Sequence, residues 1–166
     1  VTRRVASKAR AYIALGANLG DPPSQLRAAL ERLQTSVDLV AVSAFYRTAP
    51  LGPAGQPDYC NAACMVETGL DPEALLDLLQ SIESAAGRER GGKRWGPRPL
   101  DLDLLHMEGR AMQTPRLSLP HPQLHRRAFV LVPLSEIAAD LLIPGLGKVG
   151  DLAAAVDRSG VAPGFE

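Results

Sequence analysis

The residues with the clearest capacity for chemistry lie between Arg88 and Leu105. Asp101-Leu102-Asp103-Leu104-Leu105 begins by alternating acidic and apolar residues, the period of two that marks a half-buried strand. Side chains at i and i+2 share a face, so Asp101 and Asp103 project together with Cα atoms roughly 6.5 Å apart, while Leu102 and Leu104 face a core. Two carboxylates on one rigid strand repel each other unless something positive lies between them. A divalent cation fits: Mg²⁺ takes oxygen ligands at about 2.0–2.1 Å and usually combines one or two carboxylates with phosphate oxygens and water. Just upstream, Arg88, Arg90, Lys93, Arg94 and Arg98 put five cations into eleven residues around Trp95. Such a loop can hold the phosphates that the ion would bridge. The plainer alternative is a solvated acidic strand beside a charged surface loop.

The surrounding chain must supply the elements that hold these groups. Ala11–Leu15 reads as a buried strand, ending in the two-glycine turn Gly16-Ala17-Asn18-Leu19-Gly20. Asp21 then caps a helix that carries Pro22 at its first position, and Leu26, Ala29, Leu30 and Leu33 repeat at helical spacing. The glycine turn matches neither phosphate-loop pattern, so no nucleotide is assigned to it. Val37–Thr48 reads as one long strand. The Pro/Gly-rich loop Ala49–Asp58 is longer than a usual connection and suits a binding or lid loop. Asn61–Thr68 is the next strand. Tyr59 and Asn61 stand at its mouth, able to stack on and hydrogen-bond a flat heterocycle, or simply to pack and to cap a turn.

Asp71-Pro72-Glu73 opens a second helix with the apolar stripe Leu75, Leu78, Leu79, Ile82 and Ala86, and Gly87 ends it. Glu83 sits in its last turn, where the helix dipole disfavours a carboxylate; it either pairs with an arginine of the following loop or contacts a ligand. After the Asp101/Asp103 strand, Gly109-Arg110 predicts a hairpin returning through Ala111–Thr114. Arg126–Ile137 reads as a short helix or two, interrupted at Pro133. The end carries a late strand, a brief helix at Leu152–Val156 and no evident chemistry. The order is β-α-β-β-α-β with extra pieces, which predicts an α+β, ferredoxin-like antiparallel sheet with helices packed on one side.

Composition bounds the rest. The 166 residues, 46% apolar and 22% charged, suit a single globular domain. The expected division is a flexible basic extension over residues 1–10, without the apolar region of a secretory signal, followed by one domain over 11–166. Eighteen basic residues balance eighteen acidic ones, so no global affinity for nucleic acid or membrane is expected. Cys60 and Cys64 fit no zinc or redox spacing and read as buried thiols of a cytoplasmic protein.

Several segments together resemble a known family. They are Tyr46-Arg47-Thr48-Ala49-Pro50-Leu51-Gly52, Gln56-Pro57-Asp58-Tyr59-Cys60-Asn61, Arg94-Trp95-Gly96-Pro97-Arg98 with Asp101-Leu102-Asp103, and Pro120-His121-Pro122. Their identity and spacing, from about Ala11 to Leu152, are similar to the 6-hydroxymethyl-7,8-dihydropterin pyrophosphokinases of folate biosynthesis. The resemblance implies transfer of an intact diphosphoryl group from ATP, as co-substrate, to the pterin hydroxymethyl oxygen, with release of AMP and the use of two Mg²⁺ ions. It implies that Asp101 and Asp103 are the metal ligands and that Arg88 and Arg98 engage the phosphates. Gln80, Glu83, Arg90, Arg98, Leu104, Arg116, Ser118, His121 and Arg127 would line the ATP site, with Glu83 on the ribose. Tyr59 and Phe129 would sandwich the pterin and Asn61 would read its edge. Thr48, Ala49, Leu51 and Trp95 complete that half-site, and Arg90 and Trp95 belong to a loop that closes over it. Ala49 stands where proline is frequent, Ser118 where threonine is, and Pro122 where some members carry an aromatic residue. A monomer is expected.

Two rivals come from other classes. A ferredoxin-like sheet can bind RNA through exposed aromatics, but only seven aromatic residues are present and no RNP-type motif appears. A Mg²⁺-dependent phosphohydrolase would use the Asp pair without needing Tyr59, Asn61 or Phe129.

Overall fold

The first strand, β1 (Ala9–Ala17), is buried from Ala11 onward and runs through the middle of the sheet. In the computed structural model, which describes residues 8–49, 55–87 and 100–165, it pairs antiparallel with β4 (Tyr59–Thr68) on one side and β5 (Asp101–Met107) on the other. Beyond β4 lie two short strands, β2 (Asp38–Val42) and β3 (Tyr46–Thr48), and β3 is covered in turn by β10 (Val161–Pro163). With β2 and β3 counted as one strand, the four main strands lie in the order fourth, first, third, second. That is the ferredoxin-like arrangement expected from the βαββαβ order. β1 starts at Ala9, inside the segment expected to be a loose extension, because Ala9 and Arg10 still pair with Thr68 and Glu67.

Helices α1 (Pro22–Gln34) and α2 (Pro72–Ala85) start where their caps specify: the Asp21 carboxylate accepts the Ser24 N–H at 3.3 Å, and that of Asp71 accepts the Ala74 N–H at 2.8 Å. After α2, Gly87 turns the chain with φ +91°, a value that favours glycine. The two helices bury Leu26, Leu33, Leu75, Leu79 and Ile82 against Ile13, Leu15, Val66, Leu102 and Leu104. Cys60 and Cys64 lie in the same layer, and burial pushes both thiols up to about 12, so they are inert.

The opposite face is not bare, as helices on one side alone would have left it. α3 (Ala128–Ala138) and α4 (Val149–Ala155) cover part of it, packing Val130, Leu131, Leu134 and Val149 on Tyr12, Ala14, Ala63, Met65 and Leu105. α3 runs unbroken through Pro133. A mid-helix proline costs about 3 kcal/mol, but here it sits in a run buried from Val130 to Leu134, and burying each such apolar side chain recovers roughly 1.5–3 kcal/mol.

Two further departures from the sequence reading concern the second strand and the segment after β5. The long strand Val37–Thr48 is split because Ser43 replaces a ladder rung: its Oγ accepts the Ala63 N–H and its own N–H reaches the Ala63 carbonyl, both at 2.9 Å. The next N–H, of Ala44, leaves the sheet for the Glu136 carboxylate on α3 at 2.7 Å, which also accepts the Tyr46 hydroxyl at 2.5 Å. Burial and this bond together push the Tyr46 phenol up to about 12. The turn expected at Gly109-Arg110 forms, with Arg110 bridged antiparallel to Met107 at the end of β5, but the chain does not continue along β5 from there. β6 (Met112–Gln113) pairs instead with β7 (Ser118–Leu119), and among the described residues no strand pairs with the outer edge of β5. A one-turn 3-10 helix, Leu124–Arg126, precedes α3, and the end forms the hairpin β8 (Leu142–Ile143) and β9 (Gly147–Lys148) before α4 and β10. The Leu119–Pro120 peptide bond is cis.

Candidate active site

Cross-strand register sets up one row of side chains. Tyr46 is opposite Asn61, Asn61 opposite Gly16, and Gly16 opposite Asp101. Paired residues point to the same face, so all four stand on the α3 side of the sheet. The next row holds Ala63, Ala14 and Asp103. Asn61 and Asp101 are therefore two strands apart, about 10 Å between Cα atoms at ordinary strand spacing, with glycine between them and two alanines behind. The result is a shallow floor with a carboxamide at one side and both acidic groups at the other. The shared face of Asp101 and Asp103 follows from the strand period, and both are half-buried.

The carboxamide side is built for recognition. Asn61 and Thr48 are 7% and 8% exposed, and among the described residues Asn61 Oδ1 and Thr48 Oγ1 find no hydrogen-bond partner. Buried polar atoms are nearly always paired in folded proteins, so two orphans on one face call for a ligand or ordered water. Thr48 is opposite Tyr59, which is half-buried, and Ala49 follows at the end of β3. At the other wall, the first turn of α3 presents Phe129, with the Arg127 guanidinium 5.7 Å from its ring centroid. Arg127 Nη1 also lies 3.9 Å from Asp103 Oδ2 and so joins the aromatic wall to the acidic pair.

On the far side of β5 a hollow of about 230 Å³ opens along the outer edge of the strand. Asp103, Leu104, Arg116, Ser118 and His121 line it. Arg116 is held by Asp77 and by Gln80 Oε1, the latter at 3.3 Å. His121 donates its backbone N–H to the Leu105 carbonyl at 2.7 Å, and its Nδ1 accepts the Gln123 N–H at 3.1 Å. The imidazole proton is thereby assigned to Nε2. Burial pushes its pKa below the usual value, against an upward pull from Asp103. By ladder alternation the Leu104 peptide groups point outward with those of Leu102, into this hollow.

Glu83 has a duty that its place in the helix does not reveal. It is 7% exposed, and its Oε2 accepts the Leu102 N–H at 2.9 Å. It thus fastens the outer edge of β5 between Asp101 and Asp103. Glu83→Ala should lower the unfolding free energy by about 1–3 kcal/mol, the usual cost of an orphaned buried donor, in urea denaturation. Glu83→Gln, which keeps an acceptor oxygen, should lower it less; equal stability of all three proteins would show that Leu102 finds another acceptor.

The structure thus brings Thr48, Tyr59, Asn61, Asp101, Asp103, Arg127 and Phe129 to one face, and Gln80, Leu104, Arg116, Ser118 and His121 to the adjoining strand edge. Leu51, Arg88, Arg90, Trp95 and Arg98 lie outside the described residues. The residue that sequence reasoning missed is Gly16: a Cβ there would meet Asn61 Nδ2 at 2.8 Å. The sequence reading put Gly16 in the two-glycine turn, whereas it lies inside β1, which runs on to Ala17.

A family model described as 7,8-dihydro-6-hydroxymethylpterin-pyrophosphokinase (HPPK) matches residues 12–139, a span that holds every one of these groups. The chain belongs to this family. It is 52% identical over 144 residues to the 2-amino-4-hydroxy-6-hydroxymethyldihydropteridine pyrophosphokinase of Haemophilus influenzae, covering 86% of this chain and 89% of that one. To the enzyme of the same name from Pseudomonas aeruginosa it is 45% identical, covering 92% and 94%. The fold matches that of wild-type Plasmodium falciparum HPPK-DHPS with pteroate, with a TM-score of 0.72 at 12% identity, over 92% of this chain but only 43% of that longer one.

Mg²⁺ suits the donors present. Asp101 and Asp103 offer hard carboxylate oxygens, and among the described residues no three His, Cys, Asp or Glu side chains converge on one point. A pair of carboxylates fits an ion that completes its shell from phosphate and water rather than from a protein cage. Among the described residues no helix is long and apolar enough to cross a membrane.

Proposed function

We propose that the protein catalyses the Mg²⁺-dependent transfer of diphosphate from ATP to 6-hydroxymethyl-7,8-dihydropterin in folate biosynthesis, acting as a monomer and giving the pterin diphosphate and AMP. The observation that carries this reading is the pair of buried atoms, Asn61 Oδ1 and Thr48 Oγ1, which have no hydrogen-bond partner among the described residues and stand on the same face as Asp101 and Asp103. A phosphohydrolase using the acidic pair would leave both without a purpose.

The flat pterin would lie between Tyr59 and Phe129, with its polar edge on Asn61 and Thr48 and its hydroxymethyl arm over Gly16 toward Asp101. ATP would enter from the β5 edge. Its base would meet the Leu104 peptide groups and its phosphates would meet Arg116, His121 Nε2–H and Arg127. The hydroxymethyl oxygen forms a bond to the β-phosphorus as the bond from that phosphorus to the oxygen of AMP breaks, and the hydroxyl proton passes to solvent. Positioning and charge neutralisation carry such a reaction. Two Mg²⁺ ions, held by Asp101 and Asp103, would supply that neutralisation to the diphosphoryl group. Arg88 and Arg98 would clamp the same group, and closure of the loops 49–58 and 87–96 would exclude water.

The test is product analysis after incubation with ATP, Mg²⁺ and 6-hydroxymethyl-7,8-dihydropterin. AMP should form in step with pterin diphosphate, and only when the pterin is present. ADP and free phosphate released without pterin would assign the acidic pair to a hydrolase instead.

A further inference from the structure

We infer that the C-terminal segment Gly160–Phe165 is a positioning element of the pterin half-site, an inference that rests on the reading of that site given above. The strand carrying Thr48 is only three residues long, and ten residues separate it from β4. β10 covers its outer edge in register, with Val161 opposite Thr48, Ala162 opposite Arg47 and Pro163 opposite Tyr46. The Gly160 carbonyl then accepts the Ala49 N–H at 3.1 Å, which fixes the foot by which the chain leaves β3. The other foot is held through Arg47. Its Nη1 lies 3.6 Å from Asp58 Oδ2, one residue before β4 begins, and its guanidinium lies 4.0 Å over the ring centroid of Phe165.

These contacts form one device. Arg47 and Asp58 are both nearly half exposed, so their ion pair alone would hold little. The Phe165 ring confines the guanidinium to one place and gives the pair a fixed geometry, worth more than an unconstrained surface contact. Ala49 and Asp58 are then both tied to the segment 160–165, and Thr48 and Ala49 keep their distance from Tyr59 and Asn61. The hollow proposed for the nucleotide lies on the opposite edge of the sheet, along β5, and shares none of these contacts. Loosening the clamp therefore acts on one substrate. A segment that merely shielded the strand edge would affect stability without distinguishing the substrates.

The test compares wild type with Phe165→Leu, which keeps apolar bulk but removes the ring, and Phe165→Tyr, which restores it. Phe165→Leu should raise the KM for the pterin about fivefold, the order expected for a lost cation–π contact, with kcat and the KM for ATP unchanged, and Phe165→Tyr should behave as wild type. Arg47→Lys, which keeps the charge facing Asp58 but not the stacking plane, should repeat the Phe165→Leu result and replaces it if that variant does not fold. Equal shifts in both KM values, no shift, or failure of Phe165→Tyr to restore the pterin KM would overturn the inference. Failure of the wild type itself to form pterin diphosphate would instead overturn the reading of the site.

Discussion

Asp101→Ala should reduce kcat by at least about 10³-fold, the scale of several kcal/mol of lost charge stabilisation, while leaving pterin affinity largely intact. The register makes this a sharp test. Asp101 shares its row with Gly16 and Asn61, so a purely structural role for its side chain would disturb the carboxamide side as well. Retained pterin binding by equilibrium titration, together with lost turnover, assigns Asp101 to metal and phosphate. Parallel loss of both would show that it shapes the pterin floor. Asp101→Asn, which keeps the volume but not the charge, should be nearly as damaging as alanine.

The second large effect is expected at a residue with no side chain. Gly16 is buried on β1 between β4 and β5, and its backbone is not left-handed, so alanine meets no dihedral penalty there. The obstacle is Asn61 Nδ2, 2.8 Å from where the new methyl group would lie. Asn61 is buried and its amide already reaches the Leu15 carbonyl at 3.4 Å, so it has little room to retreat. Gly16→Ala should raise the KM for the pterin about 10- to 100-fold, equivalent to roughly 1.4–2.7 kcal/mol and within the usual cost of overpacking. The KM for ATP should not change, because the hollow proposed for the nucleotide lies beyond β5. An unchanged pterin KM would mean that the carboxamide swings aside freely and does not read the substrate.

Both expectations depend on features of very different legibility. The Asp-x-Asp alternation, the aspartate caps of α1 and α2, the glycine stop after α2 and the βαββαβ order can all be read from the chain, because each is a local rule of period or capping acting within a few residues. The motifs around Tyr59, Trp95 and His121 were legible as a family resemblance, and the family match bears out that recognition. The split of the second strand was not legible, because the groups that take Ser43 and Ala44 out of the ladder are Ala63 on β4 and Glu136 on α3, 20 and 92 residues away. Nor was the continuity of α3 through Pro133, where burial against the sheet overrides a local penalty.

What the sequence by itself determined is therefore the fold class, the family and the identity of the acidic pair with its shared face. What only the tertiary structure decided is which groups meet. Register places Gly16 between Asn61 and Asp101, the outer edge of β5 turns Glu83 into a fastening for Leu102, and the last strand brings Phe165 onto Arg47. These contacts join residues separated by between 19 and 118 positions. No local period encodes such a pairing; it exists only once the sheet has chosen its strand order and register, and there a slip of one residue would turn every side chain of a strand to the other face.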